Sequence, residues 1–216
     1  MSNQSKKQII DGISYKYSAS WIYELEKEQH WRCYWRQEKL MQNYIESGQH
    51  ILEIGLGSGF TANYLRSKGF KVTTIDIDKE KSPDILANIV EYNFTEIYDH
   101  VLAFEVFEHI PFTEFQKIIK KISMICKNFL FLSVPRNERS LLRCEFDLPK
   151  FGHRILEIKT LKKKISTEHH FWELDDGNIS TKDFEKVLIR AGYRLNHSDQ
   201  AFSQRYYAFA SPDLGR

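Results

Sequence analysis

No apolar run in the sequence approaches the roughly 18–20 residues needed to span a bilayer. The first ten residues are polar and lysine-containing, without the apolar core of a secretion signal. Cysteine is scarce: Cys33, Cys126 and Cys144 stand far apart, and no two have the close spacing of a zinc site or redox motif. Free thiols suit a reducing compartment, so a cytoplasmic protein with no membrane partner is expected. An excess of one charge is also missing. The 31 basic and 29 acidic side chains leave a formal charge of +2, which offers no footprint for a polyanion, so nucleic acid is not expected as a partner. The three lysines at 162–164 read as a solvated run. Repeats and low-complexity tracts are absent, and 216 residues with 42% hydrophobic content suit one α/β domain with a cap.

What is present is an alternation of short apolar runs and amphipathic stretches. Residues 50–55, 71–77, 99–106 and 128–134 read as strands, with a weaker one at 85–90. Residues 60–68 and 113–127 read as helices. In the second, Phe115, Ile118, Ile119, Ile122 and Ile125 form an apolar stripe, and Thr113 with Gln116 has capping-box spacing. Strands alternating with helices predict a mainly parallel sheet covered on both faces. The tail differs. A helix over 181–191, stopped by Gly192, leads into strand-like runs at 193–197 and 205–210, which can pair as a hairpin and set an antiparallel strand into the sheet. Residues 1–20 read as a loose lead-in. Residues 21–47, with Trp21, Tyr23, Trp31, Tyr34, Trp35 and Tyr44, read as helical and end at Gly48. Their aromatics, with Tyr15 and Tyr17 before them, are expected mostly to pack the core of two cap helices, or to close over a ligand. Residues 135–175 break the rhythm and read as a long irregular loop or lid. The expected division is a helical cap or lid at 1–47 and a binding domain at 48–216, with an insertion at 135–175.

The most informative segment is Glu-Ile-Gly-Leu-Gly-Ser-Gly at 53–59, where a strand enters a glycine turn that opens a helix. Such a turn lets a ligand approach the backbone at a helix N-terminus. Asp76 ends the next strand, about 20 residues on, where a carboxylate accepts hydrogen bonds from ribose hydroxyls. The dinucleotide fingerprint would place a third glycine where Phe60 stands, which disfavours a nicotinamide oxidoreductase. No lysine followed by Ser or Thr comes after the turn, which excludes a phosphate-cradling loop.

These segments resemble class I S-adenosylmethionine-dependent methyltransferases of the small-molecule branch. The resemblance rests on residues 53–59, on Thr-Ile-Asp-Ile-Asp at 74–78, on the fourth strand and turn at 99–111, and on the fifth strand at 129–135, in order. It implies a Rossmann-like α/β fold: a seven-stranded, mostly parallel sheet with one antiparallel strand and helices on both faces. It also implies S-adenosylmethionine as cofactor, and a methyl group moved to an O or N atom of a small-molecule acceptor. Carried over by position, Gly55 and Gly57 border the methionine end of the cofactor, with Leu56 between them. Glu53 orients the turn or reaches the cofactor's amino group through water. Asp76 holds the ribose, followed by Ile77, and Glu105 lies along the cofactor. Asn88 stands where many relatives place an acid for the adenine amino group, and its carbonyl can accept the same bond.

The remaining candidates are histidines. If the acceptor is a hydroxyl, His109 or His170 is the expected base. His170, Trp172 and Glu173 also match a His-x-Trp-Glu signature of the small-molecule branch. No metal is expected, because His169 and His170, adjacent in a strand, would point to opposite faces. The turn at 107–111 does not match the Asn/Asp-Pro-Pro-aromatic turn of enzymes that methylate base amines. A non-catalytic module of the same fold is the alternative, disfavoured by the intact Gly55, Gly57 and Asp76. A monomer or homodimer is expected.

Overall fold

The computed structural model describes residues 6–10, 13–17, 27–161 and 169–212. Strands β1 (Lys6–Ile10) and β2 (Ile13–Tyr17) form an antiparallel hairpin where a loose lead-in was expected. Trp21 and Tyr23 lie outside the described residues, as do the lysines at 162–164. Helix α1 spans Glu28–Met41, inside the stretch expected to be helical. Then follow β3 (His50–Ile54), α2 (Phe60–Ser67), β4 (Lys71–Asp76), β5 (Ile85–Leu86), β6 (Tyr98–Phe104), α3 (Phe112–Ser123) and β7 (Cys126–Pro135). The chain continues through β8 (Glu138–Leu148), β9 (Gly152–Leu161), α4 (Thr181–Arg190), β10 (Arg194–Ala201) and β11 (Gln204–Ala210).

Seven strands make one sheet in the order β10-β11-β7-β6-β3-β4-β5. The pairs from β7 to β5 are all parallel, whereas β11 runs antiparallel to both β7 and β10. The tail hairpin therefore supplies the single antiparallel strand. Along β3 the period of two divides the side chains between the faces. Leu52 and Ile54 join the stripe of α3 and Phe184 and Leu188 of α4, whereas Ile51 joins Leu40 and Met41 of α1 and Ala62 and Leu65 of α2. Helices thus cover both faces. No helix among the described residues is long and apolar enough to cross a membrane.

Several local expectations are corrected. Helix α3 begins at Phe112 with Pro111 as its N-cap and no side-chain cap, so Thr113 lies inside the first turn and the capping box does not form. Proline presets the backbone for helix entry, and it moves the boundary upstream. Residues 135–175 are largely regular: β8 and β9 pair as a long antiparallel hairpin. Leu142, Cys144 and Phe146 alternate with charged residues and face Ile158, Leu156 and Arg154 across the ladder. Trp31 and Trp35 are about half exposed rather than core residues. Trp31 sets its edge against Phe60, and Trp35 receives the Lys39 ammonium 5.1 Å from its ring centre.

Candidate active site

The C-terminal ends of β3, β4 and β6 open into a cavity of about 530 Å³, the position where ligands gather in open α/β sheets. The glycine turn forms one wall. Gly55 adopts φ +79°, and a Cβ there would lie 2.5 Å from Cγ2 of Val106. Its N–H donates to the Ile75 carbonyl (2.9 Å), tying the turn to β4. The next amide, of Leu56, donates to Asp76 Oδ2 (2.8 Å). Asp76 also accepts from the Asp78 amide (2.8 Å) and from Lys81 Nζ (3.0 Å). A carboxylate has about four lone-pair sites, so capacity remains for a ligand's hydroxyls.

Glu53, Leu56, Gly57, Ile77 and Glu105 line the same cavity. Asn88 does not. Its side chain is buried, and its Oδ1 accepts from the Val90 amide (2.9 Å), while Ala87 and Ile89 on either side face the cavity. Asn88 thus shapes the turn after β5 and does not line the cavity.

Glu53 is 6% exposed, and its Oε2 has no hydrogen-bond partner. Burial pushes its carboxyl from the ordinary 4.5 up to about 8; Arg66 and the Ala62 amide oppose the shift and Asp76 adds to it. The folded chain thus holds an extra proton between these two values. The stability this confers is complete below about pH 4.5 and is lost as pH rises through 8. Glu53→Gln is expected to flatten the fall in melting temperature of the ligand-free protein between pH 5 and 8.5. One fully linked proton is worth at most about 1.4 kcal/mol per pH unit. Parallel melting curves for the two proteins across that range would refute the shift.

The far wall is built from the turn after β6. Glu105 has φ +54°, a left-handed backbone in a non-glycine residue, and such strain gathers at functional sites. Its Oε1 is enclosed without a partner, and burial raises the carboxyl to about 7. Glu108 is fully buried and neither carboxylate oxygen has a partner. Burial first, then Glu105 and Glu173, drives its pKa well above the usual carboxylate range. His109 pairs through Nδ1 with the His169 carbonyl (2.9 Å), and His170 pairs through Nδ1 with Glu173 Oε1 (3.1 Å). The two rings meet edge to face, 5.2 Å apart.

Two bonds bring these distant histidines together. The Phe171 amide donates to the Glu108 carbonyl (2.8 Å), and Trp172 Nε1 donates to the Ile110 carbonyl (3.0 Å). Trp172 also packs into the aromatic core against Phe112, Phe115 and Phe184. His169 and His170 lie in irregular backbone, so the argument from opposite strand faces does not apply to them. Glu108, His109 and His170 offer ligand atoms within 4.8 Å of one another, a grouping the sequence does not reveal.

Helix α1 lies against the glycine turn. Tyr34 OH and Ser58 Oγ are 2.9 Å apart, and Thr61 Oγ1 donates to Gln37 Oε1 (3.1 Å). The Tyr34 ring lies 4.3 Å from that of Phe60, and Arg32 reaches Glu145 on β8 at 2.8 Å. Sequence reasoning placed Tyr34 in the cap but missed Gln37, Lys81, Glu108 and Gln204, which also border the cavity. For Glu108 a local signal existed: an acid three residues after Glu105 and next to His109, in an otherwise apolar turn.

Comparison with known proteins agrees with this architecture. A family profile described as a methyltransferase domain matches residues 27–173. No curated protein sequence matches the chain. Among solved structures, the N-methyltransferase NodS from Bradyrhizobium japonicum WM9 with S-adenosyl-L-homocysteine superimposes with a TM-score of 0.58 at 13% identity, covering 88% of this chain and 91% of that one. Magnesium protoporphyrin IX methyltransferase (ChlM) from Synechocystis PCC 6803 with bound SAM gives 0.59 at 14%, covering 88% and 83%. The 1,6-didemethyltoxoflavin-N1-methyltransferase of Burkholderia thailandensis gives 0.60 at 10%, covering 90% and 85%. At such identities the likeness shows the fold.

Proposed function

The chain belongs to the methyltransferase-domain family, and on that premise we propose that it moves a methyl group from S-adenosylmethionine to an oxygen or nitrogen of a small-molecule acceptor. The observation that carries this reading is the glycine turn at the end of β3, whose Leu56 amide is held by the Asp76 carboxylate at the cavity wall. The site fits the cofactor. Asp76 keeps acceptor capacity for ribose hydroxyls, and Glu53 presents a buried oxygen without a partner. Structures of the same fold hold S-adenosylmethionine or S-adenosylhomocysteine, and one holds its small-molecule acceptor as well.

When bound, S-adenosylmethionine supplies a methyl group on a sulfonium, already activated toward a nucleophile. The residues of this chain therefore have mainly to position the acceptor, which is catalysis by proximity and orientation. Tyr34 and Gln37 of α1 close over the turn and exclude water. For a hydroxyl acceptor, His109 or His170 at the far wall takes the proton.

Calorimetric titration with S-adenosylmethionine and S-adenosylhomocysteine, with NAD as control, tests the reading. Saturable binding of both sulfur nucleotides and none of NAD is expected. Binding of neither would reduce the turn to a structural feature and overturn the proposal.

A further inference from the structure

The far wall buries carboxyl oxygens that the fold leaves without partners. Glu108 is 0% exposed, and both of its oxygens lack a partner, yet it borders the cavity. The buried Oε1 of Glu105 is likewise without a partner. Burying a carboxylate with no counter-charge is among the most costly things a fold can do, so such a group is either protonated or matched by a cation. The neighbours of Glu108 favour a cation. His109 and His170 bring ring nitrogens to it, and one ligand atom from each of the three residues falls within 4.8 Å of the others. In both rings Nδ1 is already engaged, by the His169 carbonyl in one and the Glu173 carboxylate in the other. Outer partners of this kind fix the orientation of metal-binding histidines and raise the basicity of the other nitrogen.

We propose that Glu108, His109 and His170 bind a divalent transition-metal ion at the far wall of the cavity, with the Glu105 carboxylate as a further oxygen beside it. Two imidazoles with carboxylate oxygen suit Fe²⁺ or Zn²⁺ better than Mg²⁺ or Ca²⁺, which prefer oxygen alone; Mn²⁺ binds such a mixed set more weakly but reports on it through its unpaired electrons. With the ion bound, neither imidazole would be free to act as base; the open cavity side of the ion would instead take the acceptor hydroxyl and lower its pKa. How the ion would serve methyl transfer rests on the function proposed above; that it binds does not.

Mn²⁺ is the probe, added to chelator-treated full-length protein and followed by electron paramagnetic resonance. One ion per chain is expected to bind. Glu108→Gln and His170→Asn should each weaken it at least about 100-fold, the upper range for loss of an outer partner alone. Glu108→Gln removes an unpartnered buried carboxyl, so without metal it should melt at or above the wild type. Mn²⁺ at about 100 times the wild-type dissociation constant should raise the melting temperature of the wild type by about 5 °C or more, and that of the variant by no more than about 2 °C. Asp76→Ala should keep Mn²⁺ and lose S-adenosylhomocysteine, so the two readings fail separately. The metal site is overturned if the wild type takes up neither Mn²⁺ nor Zn²⁺ at millimolar concentration, or if both variants bind Mn²⁺ as the wild type does.

Discussion

Asp76→Ala is expected to lose at least about 100-fold in affinity for S-adenosylhomocysteine, the larger of the two binding effects of altering this carboxylate. Hydrogen bonds to a charged group contribute about 1.5–3 kcal/mol each, and two ribose hydroxyls would lose theirs. At about 1.4 kcal/mol per factor of ten, that alone reaches the stated loss. A second contribution acts through the protein. The Leu56 and Asp78 amides and Lys81 Nζ all donate to this carboxylate, so its removal also loosens the turn against β4. Asp76→Asn separates the two effects. Its amide oxygen can still accept from Leu56, but the charge facing Lys81 is gone, so an intermediate affinity is expected. Calorimetry on the three proteins, with melting curves beside it, gives the order. Unchanged affinity in the alanine variant would remove the cofactor from this end of the sheet.

The parts of the fold that were legible are those where burial forces a period on the sequence. Strand β7 is sandwiched between helices, so Leu130, Phe131 and Leu132 are all buried and read as a continuous apolar run. The stripe of α3 is legible for the same reason. The β8–β9 hairpin is not legible in the sequence because its alternation is not buried: Leu142, Phe146, Leu156 and Ile158 stay substantially exposed, and charged residues share their strands. An alternation without a buried face gives little signal above its charges. The start of α3 was misplaced for a local reason, since Thr113 and Gln116 match a capping pattern that Pro111 pre-empts.

The site divides along similar lines. The turn at 53–59 and Asp76 were legible because each is a strand end followed by a short connection, so position along the chain fixes position in space. Asn88 follows a short 3₁₀ turn and a two-residue strand, and there spacing does not decide which side chain faces the cavity. Ala87 and Ile89 do, and Asn88 turns inward. The meeting of Glu108, His109 and His170 had no local signature. It depends on the Trp172 indole finding the Ile110 carbonyl and on the Phe171 amide finding that of Glu108. Such long-range pairings follow from packing and are invisible in the spacing of a single sequence.

Gly55→Ala is expected to cost the fold heavily for the addition of a single methyl group. Two costs coincide there. The backbone at φ +79° is left-handed, costing an L-residue about 1–2 kcal/mol. The added Cβ would also stand 2.5 Å from Val106 Cγ2 and 3.3 Å from Cγ1, and overpacking of this kind costs about 1–3 kcal/mol. Together these are a large part of a typical domain's stability, and at this size a fall in melting temperature of roughly 5–15 °C follows. Gly59→Ala is the control. It has a similar φ, +76°, but the nearest atom to its Cβ would be Asn63 Nδ2 at 3.4 Å, so it bears the strain without the collision. Val106→Ala should recover much of the loss in the Gly55→Ala background while doing little for Gly59→Ala, a coupling expected only between residues in contact. Val106 follows the strained Glu105, so relieving the collision should also restore part of the binding of S-adenosylhomocysteine. If stability returned without binding, Val106 would be a packing partner only. If neither returned, left-handed strain rather than the collision would account for the conformation of the turn.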